Sequence, residues 1–192
     1  MTAVPALRDL IQREALLFGN FTLKSGATST YYFDLRRVTL SSDGAKLIGE
    51  ALAARCRELG ATTIGGPATA AIPLVAAALV AAGVDGQELR GCYVRGLAKE
   101  HGTGQRLEGP IGPGDRVLLV EDTVTSGGSL LDAAQVLREA GAEIVAACWL
   151  VDRGAGGLDA VRAAGIEASA LFTLDDFDLT PPAGVAPGAH GG

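Results

Sequence analysis

The sequence of 192 residues predicts an α/β fold, a mostly parallel central sheet flanked by helices. Segments with helical spacing alternate with short apolar segments, the order that builds parallel strands through crossover helices. Several short segments are apolar at consecutive positions, as in Val117-Leu118-Leu119-Val120, which suits strands covered on both faces. The length suits one domain with a sizeable core.

In chain order, residues 5–17 set Leu7, Leu10, Ile11 and Leu17 among charges and predict an amphipathic helix. Residues 21–39 read as turn-linked strands, FTLKSGATST followed by YYFDLRRVT. A second amphipathic helix covers 43–59, capped by Ser42 or Asp43 and closed at Gly60. A short strand at 62–64, a Gly65-Gly66-Pro67 loop and an alanine-rich helix at 71–82 follow. The next strand ends near Val94 and enters RGLAKEHGTGQRLEGPIGPG, too glycine-rich and charged for a core element. Then come a strand at 116–120, a helix at 129–140, a strand at 143–151, a helix at 158–164 and a strand at 168–174. The final LTPPAGVAPGAHGG has no periodicity and is expected to fray.

Composition narrows the function. Sixteen basic and 22 acidic residues give a formal charge of −6, which argues against non-specific binding to nucleic acid or an anionic membrane. Local charge tells a different story. Residues 90–106 hold Arg90, Arg95, Lys99 and Arg106 against Glu100, a balance of +3. Residues 24–37 hold Lys24, Arg36 and Arg37 against Asp34, a balance of +2. Cys56, Cys92 and Cys148 form no CxxC, so neither a zinc site nor a disulfide framework is expected. Buried thiols in a reducing cytoplasm is the simplest reading. Arg8, Asp9, Arg13 and Glu14 interrupt any apolar run at the N-terminus, so no signal peptide is expected. Residues 59–84 lack charges, but Gly65-Gly66-Pro67 breaks the run into strand, loop and buried helix.

The chemistry concentrates in VLLVEDTVTSGGSLLDAAQVL, residues 117–137. An apolar strand is expected to leave the core at Glu121-Asp122 and enter a small-residue loop before a helix at Ser129. Free N–H groups at such a turn, with a helix dipole behind them, suit a phosphate. Thr123, Thr125 and Ser126 add hydroxyl donors. No lysine follows the glycines, so this is no Walker A loop, and G-x-G-x-x-G is absent. Two carboxylates would repel a pyrophosphate but accept hydrogen bonds from sugar hydroxyls, or hold magnesium through water. Acid pair then phosphate cradle therefore reads as a grip on a ribose 5-phosphate. Ser129 and Asp132 are expected to form a capping box, but a plain strand–turn–helix with that cap leaves the two acids and the hydroxyl-bearing residues before it unexplained.

These residues resemble a known family. VLLVEDTVTSGGS is similar to the phosphoribosyl pyrophosphate (PRPP) motif of type I phosphoribosyltransferases. FTLKSGATSTYYFDLR, RGLAKEHG and WLVDR together resemble the orotate phosphoribosyltransferases, from about residue 16 to 174. The resemblance implies the type I phosphoribosyltransferase fold, with a small N-terminal hood over about 1–40, a core over about 41–174 and a flexible tail from 175. It implies transfer of the phosphoribosyl group from PRPP to orotate, giving orotidine 5′-monophosphate and pyrophosphate in pyrimidine biosynthesis. It also implies Mg2+, held mainly through PRPP and water, and a cytoplasmic homodimer whose 95–106 loop reaches the neighbouring site.

The same resemblance assigns roles. Glu121 and Asp122 hold the ribose hydroxyls, and Thr123, Val124, Thr125, Ser126, Gly127, Gly128 and Ser129 bind the 5′-phosphate. Arg95, Lys99 and His101 contact pyrophosphate, the 65–69 segment cradles it, and Lys24 also binds PRPP. Lys99, His101 and Asp122 are the catalytic set. Lys24, Phe33, Thr125 and Arg153 surround orotate, although Tyr32 and Phe33 read equally as strand-core aromatics. Gly96 stands where many members carry a lysine and Ala70 in a loop that often includes one, so less positive charge meets the pyrophosphate; separately, Asp34 replaces the usual asparagine after the aromatic pair. The alternatives are a purine phosphoribosyltransferase and a non-catalytic PRPP-sensing regulator that binds nucleic acid. The charge of −6 disfavours the regulator.

Overall fold

Two sheets organise the chain in the computed structural model, which describes residues 3–22, 26, 28–96 and 106–182. Helix α1 (Ala3–Leu10) runs into one π-helical turn (Ile11–Ala15). An antiparallel pair follows, β1 (Leu16–Thr22) and β2 (Thr28–Phe33). The helix expected to reach residue 17 thus stops earlier, because Leu17 already pairs with Tyr32 across the sheet. The strand expected to reach residue 39 also ends early. Val38 and Thr39 both donate to the Leu35 carbonyl, and the short helix α2 (Arg36–Thr39) buries Val38 completely.

Helix α3 (Ser42–Leu59) closes at Gly60 as expected, but its N-cap is Ser41, whose hydroxyl accepts the Gly44 N–H at 3.1 Å. Then come β3 (Thr63–Pro67), α4 (Ala71–Val84), β4 (Arg90–Val94), β5 (Leu107–Glu108) and β6 (Arg116–Val124). Helix α5 (Gly128–Glu139), β7 (Glu143–Asp152), α6 (Gly157–Ala163) and β8 (Ala168–Thr173) complete the core, and one 3-10 turn (Leu174–Asp176) follows. The main sheet has the order β5-β4-β3-β6-β7-β8, and only β5 is antiparallel.

Two expectations at strand ends are corrected. Gly65-Gly66-Pro67 is strand rather than loop, in register with Cys92 to Val94. The missing side chain permits this: a Cβ on Gly66 would lie 2.0 Å from the Val120 carbonyl oxygen. Likewise Glu121 to Val124 do not leave the core but continue β6, where Thr123 pairs with Val151 and Val124 with Asp152. The loop therefore begins at Thr125.

The sheet is buried on both faces by simple alternation. Leu118, Val120, Cys148 and Leu150 pack with Ile48, Leu52 and Leu74 on one side. Val117, Leu119, Ala147 and Trp149 pack with Leu130, Leu137 and Val161 on the other. Each fully buried leucine or isoleucine here contributes about 2 kcal/mol by leaving water. All three thiols are buried and unpaired with one another. Order also continues past residue 174, where the tail was expected to begin. Phe177 packs on Phe33 and Phe172, and Asp178 exchanges two backbone hydrogen bonds with the Gln12 side chain, at 2.8 and 3.0 Å. Among the described residues, no helix is long and apolar enough to cross a membrane.

Candidate active site

Strand order fixes where a ligand sits. From β3 the chain crosses through α4 to β4 on one side, whereas from β6 it crosses through α5 to β7 on the other. The order thus reverses between β3 and β6, and in such sheets a crevice opens beyond the carboxyl ends of those two strands. Pro67, Ala68 and Thr69 leave β3 there, with a cis Ala68–Thr69 peptide. Thr125 to Gly127 leave β6 beside them.

Two helix N-termini open onto this edge, and neither is capped by a side chain. Helix α4 follows Ala70, and α5 follows Gly127, whose φ of 80° turns the chain sharply into the helix. The capping box expected from Ser129 and Asp132 does not form. The Asp132 carboxylate instead accepts from both terminal nitrogens of Arg106, at 3.1 Å for the Nη1 bond. Thr125, Ser126, Gly128 and Ser129 are exposed, while Val124 and Gly127 are buried. An uncapped N-terminus ringed by hydroxyls and free amides attracts a phosphate group. Val124 and Gly127 can serve it through backbone alone.

Glu121 and Asp122 are half-buried on the last turn of strand before that cradle. One Asp122 oxygen accepts the Thr123 N–H at 2.6 Å and the Thr123 hydroxyl at 3.4 Å. Burial pushes the Asp122 carboxyl up, and the Thr123 bonds and the Arg36 charge pull it part of the way back. Arg36 had no role in the sequence reading beyond the local excess of cations. Its Nε lies 2.8 Å from an Asp34 oxygen, and its charge is felt by both Tyr32 and Asp122. The turn after Asp34, invisible in the residue pattern, is what brings it near.

On the side where a base would lie, the Arg153 guanidinium stands 6.0 Å from the centre of the Tyr32 ring. The Asp152 carboxylate accepts the Gly154 N–H at 3.0 Å and fixes the bend that follows Arg153. Phe33, expected at the base, is only 4% exposed and packs edge-on against Phe177, with ring centres 5.0 Å apart. Alternation along β2 decides this: Phe33 points into the core, and Tyr32 presents the ring beside Arg153. Arg95 lies at the end of β4, its guanidinium 3.8 Å from Glu108. Lys24, Lys99 and His101 lie outside the described residues, as does most of the expected 95–106 loop.

The donors near the crevice also fit magnesium chemically. Glu121, Asp122, Thr123 and Thr125 offer hard oxygens, and no cluster of three or more His, Cys, Asp or Glu suited to a metal occurs among the described residues. Such oxygens would suit an ion carried chiefly by substrate phosphates and water, and Glu121 and Asp122 are the residues that would meet it through water.

A twisted α/β sheet with a phosphate cradle and an acid pair at its switch point defines a class. Residues 42–163 match the family model for the phosphoribosyl transferase domain, a stretch that includes both strand ends of the crevice. Within that class, the chain belongs to the orotate phosphoribosyltransferase family. It is 43% identical over 178 residues to the orotate phosphoribosyltransferase of Rhodopirellula baltica, covering 90% of this chain and 92% of that one. Its fold is similar to the Mycobacterium tuberculosis H37Rv enzyme in complex with Fe(III) dicitrate, with a TM-score of 0.81 and 34% identity, covering 91% of this chain and 98% of that one. The same M. tuberculosis protein in complex with PRPP gives a TM-score of 0.77 and 32% identity, over 91% and 98% of the two chains.

Proposed function

We propose that this protein transfers the 5-phosphoribosyl group from PRPP to orotate, releasing pyrophosphate and orotidine 5′-monophosphate for pyrimidine synthesis. The observation that carries the reading is the acid pair Glu121-Asp122 leading directly into the uncapped N-terminus of α5. That arrangement matches a ribose 5-phosphate at both ends: acceptors for the sugar hydroxyls and amide donors for the phosphate.

The bond from the ribose anomeric carbon to the pyrophosphate oxygen breaks, one from that carbon to a ring N–H nitrogen of orotate forms, and the proton shed by that nitrogen ends on the released pyrophosphate. Positive charge grows on the ribose while negative charge grows on the leaving group, so positioning and electrostatic stabilisation do most of the work. Thr123 to Ser129 hold the phosphate, and ionised Asp122 and Glu121 fix the ribose. Arg95, Lys99 and His101 neutralise the pyrophosphate and Lys24 also binds PRPP, with Lys99, His101 and Asp122 forming the catalytic set. Arg153, Lys24 and Thr125 bind orotate, and the Tyr32 ring supplies the aromatic surface first expected of Phe33. When bound with PRPP, magnesium neutralises part of the pyrophosphate charge.

The working unit we propose is a cytoplasmic homodimer of single domains, each with a hood over about 1–40 and a core over about 41–174. Support for association comes from α4, which carries no charged residue yet leaves Val80 and Val84 exposed at 69% and 83%. A helix apolar on every side is normally covered on every side.

The test supplies PRPP and magnesium with orotate, uracil, adenine, hypoxanthine or xanthine and follows consumption of the base. Orotate alone should be consumed; folded protein that leaves orotate untouched ends the reading. Lys99→Ala should lower turnover by on the order of a hundredfold, as loss of a leaving-group cation does, with no matching fall in the thermal midpoint.

A further inference from the structure

The Arg106 guanidinium uses all three of its nitrogens. Both terminal nitrogens donate to the two oxygens of Asp132, and Nε donates to the Arg95 carbonyl at 2.9 Å. The Arg95 N–H in turn donates to the Arg106 carbonyl at 2.8 Å, so the two arginines are closed on each other through the backbone. Asp132 stands on α5, the helix whose first turn forms the phosphate cradle. A single side chain therefore ties the end of β4, where Arg95 lies, to the helix that would hold the other end of the same substrate.

We infer that Asp132 is a positioning residue for PRPP: acting through Arg106, it holds Arg95 at a fixed offset from the phosphate cradle. This rests on the reading of the crevice as a PRPP site. Asp132 touches no substrate; its effect is geometric. A lone exposed ion pair contributes little to stability, but a planar, bidentate pair with a third bond to a carbonyl fixes direction as well as distance. The Arg106 guanidinium holds the Asp132 carboxyl below its ordinary value, mainly through their hydrogen bond. PRPP spans both anchors with phosphate groups at its two ends, so a small error in their separation weakens both contacts together.

The test measures PRPP binding by calorimetry without any base, steady-state constants with orotate, and thermal midpoints for Asp132→Ala, Asp132→Glu, Arg106→Ala and the double alanine variant. Asp132→Ala should weaken PRPP binding and raise its KM on the order of tenfold, leaving the KM for orotate and the midpoint nearly unchanged. Asp132→Glu should recover most of the loss. The double variant should bind PRPP no worse than Arg106→Ala alone, since both substitutions cut one link. Unchanged PRPP affinity in Asp132→Ala, an equal loss for both substrates, a loss that tracks the midpoint, or no recovery with glutamate each overturns the inference. Wild-type protein that binds PRPP but ignores orotate rejects the proposed acceptor while this result stands. Wild-type protein that binds no PRPP overturns both.

Discussion

Burial works against the charge that the proposed ribose grip asks of Asp122. The proposed grip on ribose hydroxyls is strongest with Asp122 ionised, because the charged carboxylate is the better acceptor, yet its surroundings push its pKa up. The sign follows from linkage. The folded-state value lies above the unfolded one, so protonated Asp122 favours folding, and that contribution is lost as pH rises through the folded value. At neutral pH the ion is therefore a strain on the fold. Asp122→Asn should keep or raise the thermal midpoint while weakening PRPP binding at least tenfold, as loss of a charged hydrogen-bond partner does. Calorimetry beside a melting curve checks the two halves separately. The contribution of Asp122 to the acid limb of kcat/KM for PRPP should be displaced upward from that of an ordinary aspartate. Arg36→Ala should move it higher still, because the Arg36 charge is one of the influences holding it down.

Between elements, the contact that matters most is the close approach of β3 to β6. Gly66 leaves no room for a Cβ against the Val120 carbonyl, one residue before the acid pair. Gly66→Ala should cost about 1–3 kcal/mol in a denaturant titration, as overpacking does, and should lower PRPP affinity in parallel. Gly96 makes a fair contrast, since nothing lies within 4 Å of its Cβ position. Gly96→Lys should leave stability unchanged and tighten PRPP binding by restoring a cation near the pyrophosphate; unchanged affinity would show that this position lies away from the substrate. At α5, Gly127 starts the helix with positive φ and no side-chain cap, so alanine there should weaken the phosphate grip at a strain of about 1 kcal/mol.

At the scale of the whole molecule, the interior is apolar enough to silence its thiols. Burial pushes Cys56 and Cys92 up to about 12 and Cys148 to about 11. Native protein at pH 8 should therefore resist alkylation, with all three thiols reacting only on unfolding. The linked sign is opposite in pH to that of acid denaturation: above about pH 8.5 the unfolded chain sheds thiol protons that the folded chain keeps. Stability should fall there, on the order of 1 kcal/mol per thiol by pH 10. The outer surface carries the complementary feature. Leu40, Val80 and Val84 border an apolar groove between α3 and α4, with Lys46 and Glu50 along one wall. Val80→Asp should shift light-scattering mass from dimer to monomer; a monomeric wild type would refute association itself.

The sequence by itself determined the strand–helix alternation, the parallel class of the sheet, the burial of the three cysteines and the stretch proposed to carry the chemistry. Each of these follows from residue type and period, which act over a few neighbours. Tertiary structure decided the rest. Whether Gly65-Gly66-Pro67 was loop or strand depended on how near β6 came, a distance no local pattern encodes. Whether Phe33 or Tyr32 met Arg153 depended on which face of β2 the core claimed, and one residue of register exchanges the two. Asp132 had two possible partners, its own helix or an arginine 26 positions earlier, and the local rule named the wrong one. Local propensity offers such a side chain a capping role, but only the folded chain brings a guanidinium close enough to take it instead.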